Sequence, residues 1–102
     1  MGNFMYLVFS LKKIKKGVID SLMADDIVGR QSINFRDGPL YGLPEDELVL
    51  IIEGSQDALS RVKEIAGDSL SPIPEERSRT IYEKFRDEEK KADEGLGFIF
   101  GE

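Results

Sequence analysis

The chain contains neither cysteine nor histidine. Without cysteine there are no disulfides, no thiolate nucleophile and no thiol redox chemistry, and without either residue the usual zinc sites cannot be built. The missing histidine also removes the commonest proton shuttle, so any acid–base chemistry would fall to carboxylates, Lys, Arg, Tyr or Ser. Amide side chains are scarce: Asn3, Asn34, Gln31 and Gln56. Combined with the high charge content, that scarcity points to a heat-adapted source. No apolar run approaches the roughly 18 residues of a membrane helix, the longest being Leu48–Ile52. At the N-terminus the apolar residues precede the lysines, the reverse of a secretory leader, so the expected address is the cytoplasm. Met1-Gly2-Asn3-Phe4 opens like a myristoylation signal, but Tyr6 stands where Ser or Thr is required.

What is present suits one domain spanning residues 1–102, with residues 1–4 as an extension ahead of the fold. Apolar residues make up 40% and charged residues 33%, which excludes both a membrane protein and a disordered one. The net charge of −6 is uneven: residues 1–24 carry +3, residues 25–67 carry −5 and residues 68–102 carry −4. This balance argues against nucleic acid as a partner, while the basic start leaves room for a local anion site.

Hydrophobic periodicity sets out the elements. Phe4–Leu11 is almost wholly apolar and β-forming, as in a central strand covered on both faces. Leu11, Ile14, Val18, Ile19, Leu22 and Met23 form a helical stripe, weakened by Gly17, so that the helix could begin near Lys15. Gln31–Arg36 alternates, with Ile33 and Phe35 on one side. The segment 37–44 is broken by Gly and Pro, and Glu47–Glu53 is the second strong strand. Ser55 is an N-cap candidate for a helix with Ala58, Leu59, Val62, Ile65 and Ala66 inward, ended by Gly67. Ser69–Pro74 reads as either a short edge strand or a loop. Pro74 then opens an added charged helix over residues 75–94. Gly95–Gly101, with Leu96, Phe98 and Phe100 alternating with Gly97 and Ile99, reads as a closing strand. The expected order is therefore βαββααβ: an α+β two-layer sandwich, an antiparallel sheet with helices on one face.

Four groups of residues stand out as candidate sites. Lys12, Lys13, Lys15 and Lys16 lie where the first strand passes into the first helix, and with Arg36 they could hold a phosphate. The bland alternative is a solvated basic face. The loop Arg36–Pro44 offers Asp37 and Tyr41, although Leu40, Tyr41 and Leu43 could simply cover one end of the core. Asp25-Asp26 and Glu45-Asp46-Glu47 lack the spacing of a calcium loop, and no metal or cofactor is assigned to them. Leu96, Phe98 and Phe100 form an interface candidate, because an apolar terminal strand must pair with its own sheet or with another chain.

The element order, together with the strand–Glu53-Gly54-Ser55–helix passage over Leu48–Ala66, resembles ferredoxin-like modules in general, including ACT-type and acylphosphatase-like domains. The resemblance is architectural. The Arg-centred, Gly-rich turn of acylphosphatases is replaced by lysines, and Gly17 gives at most a hint of the ACT effector loop. Aromatics on Phe4–Phe9 lack the matching basic aromatic stretch of RNA-binding domains on Leu48–Ile52. The fold alone transfers no activity. With no catalytic residues assigned, the sequence points away from an enzyme and toward a binding or regulatory module. Such a module would act through a protein partner or self-association, for instance as a dimer. The alternative is a small anion- or nucleotide-phosphate-binding domain built on the lysine cluster.

Overall fold

The computed structural model describes residues 5–100, with side chains described as far as Ala92. The expected extension at residues 1–4 lies outside that range.

Two eight-residue strands form the centre of the sheet. β1 (Met5–Lys12) and β3 (Glu47–Gly54) pair antiparallel along their full length, from Met5 opposite Gly54 to Lys12 opposite Glu47. Their runs of Val, Ile, Leu and Phe favour extended backbone and burial on both faces. β2 (Ser32–Asp37) pairs antiparallel with the outer side of β3, and β4 (Ser71–Pro72) with the outer side of β1. The sheet order is β2-β3-β1-β4. β1 and β2 therefore run the same way with β3 between them, and β3 and β4 flank β1 likewise. A helix makes each crossover: α1 (Gly17–Ala24) joins β1 to β2, and α2 (Gln56–Ala66) joins β3 to β4.

Local chemistry sets the helix ends. Ser55 Oγ accepts from the Ala58 N–H at 3.3 Å, satisfying one of the orphan donors at the start of α2. Gly67 follows with φ +55°, a conformation in which an L side chain would be strained. α1 begins at Gly17 after a 3-10 turn at Lys13–Lys15, later than an apolar stripe starting at Leu11 would suggest.

The two faces of the sheet are covered differently. Phe9, Leu11, Leu48, Leu50 and Ile52 pack against Ile19 and Leu22 of α1 and Leu59, Val62 and Ala66 of α2. On the other face Val8, Val49 and Ile51 meet Ile81 and Phe85, together with Tyr41. Ile81 and Phe85 belong to α3 (Glu75–Phe100).

The chain is thus α+β, with a four-stranded antiparallel sheet and three helices, and it departs from expectation in two respects. The helices are not confined to one face, because α3 lies across the second. There is also no closing strand over Leu96, Phe98 and Phe100, since α3 continues to Phe100. The edge of β1 where a final strand would sit is instead taken by Ser71–Pro72. A short apolar run fits both periods: Ala92, Leu96, Ile99 and Phe100 are also spaced for one helical stripe. A helix already formed from Glu75 grows one hydrogen bond per residue without a new nucleus. The side chains of Leu96, Phe98 and Phe100, nominated as an interface, fall outside the described side chains.

Candidate functional site

Both sheet edges are open to pairing among the described residues: the outer side of β2 has no ladder partner, and the outer side of β1, which has an apolar hollow beside it, is filled only in part. β4 pairs with only Phe9 and Ser10 of this eight-residue strand. One further bond runs from the Ile73 N–H to the Val8 carbonyl, at 3.2 Å. The shortness of β4 follows from Ser71-Pro72-Ile73-Pro74. Pro72 has no N–H to donate, and Pro74 leads directly into α3. The chain is then held in the helix start: Ser78 Oγ donates to the Ile73 carbonyl at 2.7 Å, and the Ser78 N–H donates to the Pro74 carbonyl at 2.8 Å. Beyond Val8, Met5–Leu7 have no ladder partner on this side among the described residues. In an antiparallel strand the N–H and C=O of alternate residues face the same edge. Since the Val8 carbonyl faces β4, the N–H and C=O of Tyr6 face the open stretch.

A cavity of about 490 Å³ lies alongside, lined by Met5, Leu7, Phe9, Pro72 and Ile73, with Lys63 and Glu75 among its polar members. A second hollow of about 300 Å³ shares Phe9, Lys63 and Pro72 with it and continues to Leu70. Met5 is 44% exposed, and Lys63 has no carboxylate within ion-pair distance among the described residues. A hollow of about 630 Å³ along α3 is larger but is lined mainly by charged side chains such as Glu83, Arg86, Asp87 and Lys90. The β1 edge combines unpaired main-chain groups with an apolar trough, the combination an extended peptide requires.

The cations nominated from the sequence do not converge. Lys12 Nζ is 3.1 Å from both Asp46 Oδ2 and Glu47 Oε2. The Asp46 hydrogen bond raises the Lys12 pKa, and Lys12 in turn holds Asp46 below the usual carboxylate range. Lys13 pairs with Asp37 at 2.8 Å. Lys15 is exposed, and Lys16 lies 5.3 Å over the Phe35 ring, on the α1/α2 face. Arg36 points to the opposite face, 5.1 Å over the Phe85 ring and 2.8 Å from Glu89.

The long loop is pinned rather than presented. Tyr41 is 6% exposed within the α3-side core, and its hydroxyl donates to Glu88. Burial, reinforced by the Glu88 carboxylate, pushes the Tyr41 pKa upward. Lys84 donates to the Leu40 carbonyl and lies 4.7 Å over the Tyr41 ring, while Arg77 Nη2 reaches the Gly42 carbonyl at 2.7 Å. Gly42 adopts φ +81°, which turns the chain back toward β3.

Glu53, which the sequence reading placed only in the Glu53-Gly54-Ser55 turn, is a buried carboxylate. It is 4% exposed, on the α3 side of β3. Tyr82 donates its hydroxyl to it, Ser32 Oγ is 3.2 Å away and Arg86 Nη1 is 3.8 Å away. The Tyr6 ring stacks on Tyr82, with centroids 3.8 Å apart and planes within 5°. Burial, then the Glu53 contact, pushes the Tyr82 pKa up to about 12. Tyr82 is therefore protonated at neutral pH, and Glu53 is occupied by donors. The cluster fastens α3 to the sheet.

The sequence signal for the open edge was Pro72 and Pro74 on either side of Ile73, a spacing that limits any strand there to a short edge piece. Glu53 carried a weaker signal, as a charged residue closing an otherwise apolar strand. No protein-family model, no curated protein and no solved structure matches this chain.

Proposed function

We propose that this chain is a binding module of ferredoxin-like type, with α3 added over the second face of its sheet. It accepts an extended polypeptide as a strand on the edge of β1. The observation that carries this reading is the mismatch between an eight-residue β1 and the two-residue β4 beside it. The sheet order, with a helical crossover over each central strand, supports the architectural part. Main-chain pairing to Tyr6 would supply affinity, and the trough between Met5, Leu7 and Ile73 would select alternate side chains of the ligand. The anion-binding alternative has less support, because Lys12 and Lys13 are engaged by carboxylates and Arg36 faces away from Lys16.

The test is selection of unstructured peptides from a random library on the immobilised chain, followed by amide shift mapping with the recovered peptides. Shifts centred on Met5–Val8 and Ile73, at micromolar affinity, are expected. Failure to recover any binder, or shifts centred on Lys12–Lys16, would overturn the proposal.

A further inference from the structure

We infer that the strand received on the β1 edge is the closing segment Leu96–Phe100 of a second copy of this chain. This rests on the strand-accepting reading above. The segment Leu96-Gly97-Phe98-Ile99-Phe100 is uncharged, places three large apolar residues on one side if extended, and is bracketed by Gly95 and Gly101. Gly95 and Gly97 are poor helix formers, so this end of α3 gives up its helical form at small expense. The trough beside β1 is apolar, as the segment's side chains require.

Charge does not decide the occupant: Glu94 and Glu102 flank the segment, and the trough is lined by both Lys63 and Glu75. Reach decides between the same copy and another. Glu75 lines the trough, and Leu96 lies 21 residues further along α3, about 32 Å at 1.5 Å per residue. The segment is carried away from its own β1 edge, past the Arg36–Glu89 contact with β2, so that filling the β1 edge falls to a second copy. Two copies exchanging closing segments fill both edges, and a twofold arrangement closes the assembly without further growth.

Absence of cysteine makes the test clean. A nitroxide is attached to the full-length chain through Glu102→Cys, and this material is mixed with unlabelled-cysteine-free, nitrogen-15 chain. Broadening of the Met5–Val8 amides in the isotope-labelled partner is expected. Phe98→Asp in the full-length chain is expected to weaken dimerisation by at least about tenfold, roughly 1.4 kcal/mol, by light scattering across a dilution series. A monomer with no intermolecular broadening overturns the inference, as does broadening confined to the partner's α3, which would mark helix-to-helix association. Library peptides titrated into Phe98→Asp separate the two claims. If they still shift Tyr6 and Val8 while no exchange is seen in the parent chain, only the identity of the strand is wrong. If they too fail, the strand-accepting reading falls with it.

Discussion

The two faces of the sheet are held by different chemistry. Against α1 and α2 the contacts are nearly all aliphatic: Leu50, Ile52, Leu22 and Val62 are fully buried, and Leu59 and Ala66 are close to it. Against α3, among the described side chains, only Ile81 and Phe85 are buried apolar residues of the helix. Beside the Tyr6–Tyr82 stack, much of the described contact is polar, with Tyr82 to Glu53, Arg36 to Glu89, Tyr41 to Glu88, and Arg77 and Lys84 to carbonyls of the 38–42 turn. Aliphatic burial is additive and tolerant of small shifts. Hydrogen-bonded seams define one position but contribute only about 1 kcal/mol net per bond. The first face therefore carries stability, and the second fixes where a helix sits.

Substitutions can break this contrast. The largest effect is expected at Leu50→Ala, about 4 kcal/mol of destabilisation in urea unfolding, because a fully buried leucine leaves a cavity. Phe85→Ala, at 1% exposure, is expected to cost about 3 kcal/mol. Hydrogen exchange should show the loss concentrated in α3, with α1, α2 and the central strands still protected. Equal loss of protection everywhere would show that both faces melt as one unit. Tyr82→Phe removes a donor from buried Glu53 and is expected to cost about 1–3 kcal/mol.

The Tyr82 contribution has a defined pH window. Its folded pKa of about 12 lies above the unfolded value, near 10, so the stabilisation is complete below pH 10 and fades as pH rises toward 12. The gap between parent and Tyr82→Phe should narrow over that range in thermal melts. The smallest effect concerns an ionic tie on the aliphatic side. Asp25 binds Arg61 at 2.9 Å and caps the N–H groups of Ile27 and Val28, which lowers its pKa to about 2. A lowered pKa means stability that is present above the unfolded value near 3.9 and lost as pH falls toward 2. Asp25→Asn should therefore cost little at pH 7 and become indistinguishable from the parent near pH 2.

The strands and first two helices were legible because their signals were local. Val8, Leu50 and Ile51 lie in unbroken β-forming runs, and Ser55 with Gly67 marks both ends of α2. The second helical layer was half legible: β1 reads as covered on both faces, which already requires something over Tyr6 and Val8. Its thin stripe of Ile81, Tyr82 and Phe85 concealed α3's role, since many of the contacts described for that helix are polar and leave no periodic trace. The closing segment was misread because Leu96–Phe100 fits either period and only the preceding helix decides between them. Lys12, Lys13 and Arg36 were identified by charge, but charge in sequence does not show which carboxylate lies across the fold.

The central pair of strands also sets a constraint on how the chain reaches this state. Met5 pairs with Gly54 and Lys12 with Glu47, so every rung joins residues 35–49 positions apart. The β2–β3 rungs span only 11–21 positions. Closing the longer loop costs more entropy before any contact compensates it. The β2–β3 hairpin is therefore expected to assemble first, with β1 entering late beside it. Folding time is then governed by the arrival of the strand whose outer edge is left open at the end.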